Sequence, residues 1–146
     1  MPTALSADPT TLANRLRPAL LRLNRELRRE LHSLGVTGGQ VSLLIKVQKE
    51  PGIGIRELAR WERMSTPGMS KYVARLESAG LVRRTELEDR RRVGLELTPE
   101  GSRVLSSVKR RRTAWLAERL RGLEPNELEA VDAAVEPLLK LLVVEP

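Results

Sequence analysis

Residues 81–101, LVRRTELEDRRRVGLELTPEG, constrain the fold more tightly than any other stretch of the chain. The run from Leu81 to Thr85 reads as a strand, and Val93, Leu95 and Leu97 alternate with Gly94 and Glu96 at the period of a second, half-buried one. An acidic pair and three successive arginines separate the two runs. The segment is expected to form a hairpin with a cationic tip, anchored by Leu81, Val82, Val93, Leu95 and Leu97.

Immediately upstream, IRELARWERMSTPGMSKYVARLESAG (55–80) divides into two short helices joined by a tight turn, the first over about 55–62. Ser65 is placed to cap the second, Pro67 is tolerated in a first turn whose backbone N–H groups lack helical partners, and Gly80 ends it. At 100° per residue, Met69, Val73 and Leu76 fall on one side, and Pro67, Gly68, Lys71, Ala74, Arg75 and Ser78 on the other. That outer face is small and basic, as it must be if the helix backbone is to approach base edges in a nucleic-acid groove. Gly68 costs about 1 kcal/mol of helix stability, which close approach to DNA would offset. A helix-turn-helix followed at once by an arginine-rich hairpin is a winged helix, in which the second helix reads the major groove and the wing reaches the backbone or minor groove.

The flanks are helical. Leu12, Leu16, Leu20, Leu23, Leu27, Leu31 and Leu34 step by three or four along a helix that starts near Thr10 or Thr11, with Pro18 expected to bend it and Gly35 to stop it. Thr37 opens another helix, carrying Val41, Leu44, Ile45 and Gln48, before Pro51 and Gly52 break it. After the hairpin, Thr98 and Pro99 start a helix reaching about residue 120, and a last one begins near Pro125 with Leu128, Val131, Val135, Leu138 and Leu142 on one stripe. Pro137 predicts a kink or an early end there. The expected fold is mainly α with a small β-hairpin, in a single domain.

Charge narrows the partners. A net charge of +7 and a pI near 10.7 favour polyanions. Arginines dominate 15–30 and 103–121, whereas 124–146 is acidic, so the two ends are complementary. No membrane partner is expected, since no apolar run approaches the roughly 18 residues of a span, and the start of the chain lacks a basic segment followed by an apolar core. A cytoplasmic location is the expectation. The absence of cysteine and the single His32 argue against a metal site, and no cofactor is implied. Catalysis would need paired carboxylates in a cleft, a nucleophile beside a base, or a phosphate loop such as GxxxxGK[ST]; none is evident.

With IRELARWERMSTPGMSKYVARLESAGLVRR, EDRRRVGLELTPEG and LRGLEPNELEAV, the chain resembles, over nearly its whole length, the MarR family of bacterial and archaeal transcriptional regulators. The resemblance implies a winged helix-turn-helix lobe over 37–98, N- and C-terminal dimerisation helices forming a stalk from 10–35 and 99–146, and a homodimer on double-stranded DNA. It places Ser70 and Lys71 at base edges, Ser65, Thr66 and Pro67 near phosphates beside Gly68, and Arg75 on the DNA backbone. In the wing, Asp89 becomes the residue that orients the tip and Arg91 the one entering the minor groove, with Arg90 or Arg92 taking that role if the loop register shifts. The run 109–112 is expected to be a solvated or interface face. A small-molecule effector is also implied, with His32, Trp61 and Trp115 as candidate pocket residues, in a chain that has no phenylalanine and one tyrosine. The implied function is a repressor on a pseudo-palindromic operator. Its alternative is a dimeric helical interaction module, or a protein that coats DNA without operator readout.

Overall fold

Helices α1 (Pro9–Arg29) and α2 (Gly38–Lys49) are followed by a two-residue strand β1 (Ile53–Gly54) and by α3 (Ile55–Glu62) and α4 (Thr66–Ser78). Strands β2 (Val82–Glu86) and β3 (Val93–Leu97) then lead into α5 (Pro99–Arg121) and α6 (Pro125–Lys140). The computed structural model describes residues 7–86 and 93–142. The fold is mainly α with a small antiparallel sheet, the winged helix-turn-helix that the sequence predicts.

Capping explains most boundaries. Asp8 accepts from the Thr11 N–H at 3.0 Å at the start of α1, and Thr37 and Gln40 form a reciprocal capping box on α2. The first helix continues through Pro18 but ends at Arg29, five residues before the leucine ladder does. There the winding tightens: the Leu31 N–H donates to the Arg28 carbonyl, His32–Leu34 form a 3-10 turn, and Gly35 closes it at φ +73°. The tighter turn brings Leu31 fully into the core, where a straight continuation would have kept it on the α1 stripe. At the far end, α6 continues through Pro137 and stops three residues later at Lys140.

The chain divides into two units, 1–111 and 112–146. In the first, Val41, Leu43, Leu44 and Val47 of α2 cluster with Leu58, Met69, Val73, Leu76, Leu81, Val82, Leu95, Leu105 and Val108. No polar or charged side chain is buried among the described residues. By contrast, α1 buries no residue, and neither does α6, although both carry apolar stripes.

The sheet has the order β1-β3-β2, so the predicted two-stranded hairpin gains a third strand. Ile53 pairs with Leu95 and Gly54 with Gly94, while β2 and β3 pair from Val82 opposite Leu97 to Glu86 opposite Val93. The third strand explains Gly94: a Cβ there would lie 2.5 Å from the Gly52 carbonyl oxygen. Leu81, Val82 and Leu95 anchor the hairpin as expected, and Leu97 packs against the core. Val93 does not, being 41% exposed, because it sits at the tip end of the ladder beyond the reach of the core.

Thr98 fastens the hairpin to α5. Its hydroxyl accepts from the Gly101 N–H at 2.9 Å, as an N-cap, and donates to the Gly80 carbonyl at the end of α4. On the other side of α4, α3 closes with the Met64 N–H on the Ala59 carbonyl at 2.8 Å and with Arg63 at φ +58°. That left-handed conformation costs an L side chain roughly 1–2 kcal/mol.

Candidate nucleic-acid interface

The second helix of the helix-turn-helix is α4, and its orientation follows from its sequence. Ser65 caps it, accepting from the Gly68 N–H at 3.1 Å. Met69, Val73 and Leu76 are essentially inaccessible and hold the inner face against the core. The outer face therefore presents Thr66, Pro67, Lys71, Ala74, Arg75 and Ser78 as exposed residues, with Gly68 and Ser70 half-buried at its edge. Gly68 has a local reason besides helix approach: a Cβ there would stand 3.0 Å from the Ser65 hydroxyl and crowd the cap. Lys71 and Arg75 are one turn apart, and neither belongs to an ion pair among the described residues, so both cations are open to an external anion.

The wing is cationic at the sequence level, yet its strands are internally neutralised. Arg83 pairs with Glu96 across the ladder at 3.1 Å. The Arg84 Nε donates to the Glu77 carboxylate of α4 at 2.8 Å, which fixes the first wing strand to the last turn of that helix. Sequence reasoning missed this tie. Its signal was Glu77 itself, an acid near a helix C-terminus, where the helix dipole disfavours it unless a cation answers. Asp89, Arg90, Arg91 and Arg92 lie outside the described residues.

The remaining candidates are scattered. His32 is exposed in its 3-10 turn. Trp61, on α3, is 45% exposed with the Lys46 ammonium 5.1 Å from its ring centre, and Lys46 also pairs with Glu50 at 2.6 Å. Trp115 belongs to the second unit, with the Arg119 guanidinium 4.7 Å from its ring. A groove along α1 is lined by Ala19, Arg22, Leu23, Arg25, Glu26 and Arg29, which include none of these three. In the basic run 109–112, Lys109 leans back to Gln48 of α2 at 3.4 Å and Arg110 to Ser107 at 3.2 Å.

Comparison with known proteins follows the same lines. The MarR family model matches residues 36–93, which span α2 to the start of β3. An HTH-type transcriptional regulator of Mycobacterium bovis is 32% identical over 136 residues, covering 92% of this chain and 95% of the relative. The HTH-type transcriptional repressor MdtR of Bacillus subtilis is 28% identical over 108 residues, or 73% of this chain and 70% of MdtR. Among solved structures, a transcriptional regulator protein from Pseudomonas aeruginosa has 28% identity and a TM-score of 0.81 over 93% of this chain and 96% of its own. A mutant of S. aureus MepR, bound to an oligodeoxyribonucleotide, shares the fold with a TM-score of 0.68 at 20% identity, covering 91% of this chain and 99% of MepR.

Proposed function

The chain belongs to the MarR family of transcriptional regulators, and we propose that it acts as a homodimer that reads a pseudo-palindromic operator in double-stranded DNA and represses transcription there. As a member of a family of regulators, it is not an enzyme. The observation that carries the DNA reading is the outer face of α4, small and basic beside a wing strand that Arg84 ties to the same helix. Ser70 and Lys71 are assigned to base edges, Ser65, Thr66 and Pro67 to the phosphates with Gly68 permitting close approach, and Arg75 to the DNA backbone. At the wing tip, Asp89 is assigned the orienting role and Arg91, flanked by Arg90 and Arg92, the minor groove. The lobe spans 37–98.

Dimerisation is assigned to the stalk helices of 10–35 and 99–146. Support comes from helices that cannot bury their own stripes: Leu12, Leu20 and Leu23 of α1 and Leu128, Val131, Val135 and Leu139 of α6 are all exposed in the single chain. Repression is the reading favoured by the likeness to MdtR, and DNA binding by the fold shared with the oligodeoxyribonucleotide-bound MepR mutant. Release by a small ligand, with His32, Trp61 or Trp115 in its pocket, and a cytoplasmic location complete the proposal.

The test is a titration against a duplex selected from a genomic pool and against its scrambled counterpart, each at two salt concentrations. An operator reader binds its site about 10³-fold tighter or more than the scrambled duplex. Equal affinities with steep salt dependence would instead identify a protein that coats DNA without readout.

A further inference from the structure

The turn between α3 and α4 holds the one non-glycine residue with a left-handed backbone among the described residues, Arg63. The other positions with positive φ, at Gly35, Gly52 and Gly80, are filled by the residue that bears no Cβ penalty. The left-handed turn itself serves to close α3, with the Arg63 and Met64 N–H groups on its last carbonyls. Arginine nevertheless costs more there than glycine would, and its side chain gains nothing inside the molecule: Arg63 is exposed and belongs to no ion pair among the described residues. Strain kept at an exposed cation points to a partner outside the chain.

Its surroundings indicate what that partner is. Leu58 and Ala59 are buried and set which face of α3 points inward, leaving Arg56 and Arg60 exposed one turn apart on the other side, likewise without ion pairs among the described residues. Arg63 follows Arg60 and stands two residues before Ser65, the cap of the reading helix. A line of guanidinium groups leading to the mouth of a groove-entering helix matches the repeating phosphates along the groove's edge.

Resting on the DNA reading above, we infer that Arg63, continued by Arg60 and Arg56, contacts the phosphodiester backbone as a second edge of the helix-turn-helix, and that arginine rather than glycine is kept at this left-handed position for that contact. These residues carry affinity and docking angle, while base choice stays with α4.

Arg63→Gly separates the cost from the contact. The variant should raise Tm by about 2–4 °C. It should also bind the selected and the scrambled duplex more weakly by the same several-fold factor, with the salt slope reduced by about two, one phosphate contact being lost from each protomer of the proposed dimer. Arg63→Lys should restore the slope, and Arg103→Gln, which removes an equal charge from α5, should leave it unchanged. An Arg63→Gly protein that binds both duplexes like the wild type overturns the inference, as does a loss confined to the selected duplex, a lowered Tm or an equal effect from Arg103→Gln. A wild type that binds no duplex at all defeats the operator reading itself, before any variant is compared.

Discussion

A single methyl group is too large for Gly101: a Cβ there would fall 2.1 Å from the Leu81 carbonyl oxygen, a backbone atom with nowhere to retreat. Gly101→Ala should therefore destabilise the fold by roughly 1–3 kcal/mol, read as a lower urea midpoint with an unchanged m value. Lys71 lies at the opposite extreme, since its exposed side chain belongs to no ion pair among the described residues. Lys71→Ala should shift stability by less than about 0.5 kcal/mol. In the same variant, operator binding should weaken by about 1–3 kcal/mol per half-site and preference at one base position of each half-site should relax. If affinity and preference both stay put, Lys71 is not a base reader. At this scale the caps were legible, because Ser65, Thr37 and Thr98 act on N–H groups three residues ahead. Gly101 was not, since its reason is Leu81, twenty positions earlier in the chain and across a hairpin.

Between elements, the tie from Arg84 to Glu77 connects β2 to α4, with both side chains about one-third exposed. Solvent screening limits such a pair. A double-mutant cycle with Arg84→Ala and Glu77→Ala should give a coupling of no more than about 1 kcal/mol in unfolding free energy, shrinking further in 1 M salt. A coupling that is absent in low salt would show that the pair does not fix the wing. Helix types and order were readable from periodicity, and so was the hairpin. The two-residue β1 was not, because Ile53 and Gly54 are too few to show alternation and become a strand only through pairing with β3. The end of α1 was misread for a related reason: Leu31 keeps the spacing of the ladder, but its burial in the core, which periodicity does not register, is met by the 3-10 turn.

For the whole molecule, the apolar stripes of α1 and α6 were visible in the sequence, whereas their lack of cover within one chain emerges only from the fold. Val135, 47% exposed, lies in the middle of the α6 stripe. Val135→Asp should halve the mass measured by sedimentation while leaving the core of 31–108 folded, as judged by helical circular dichroism. A variant that remains dimeric would remove α6 from the interface. The proposed dimer should also make the wild-type Tm fall on dilution, because a second copy would bind only the folded chain. The uncovered stripes thus have a consequence for control. Below the dissociation constant of the proposed dimer, the number of dimers would grow as the square of the number of chains, so a twofold change in synthesis would become nearly a fourfold change in the species able to span both half-sites, and abundance alone would act as an input to regulation.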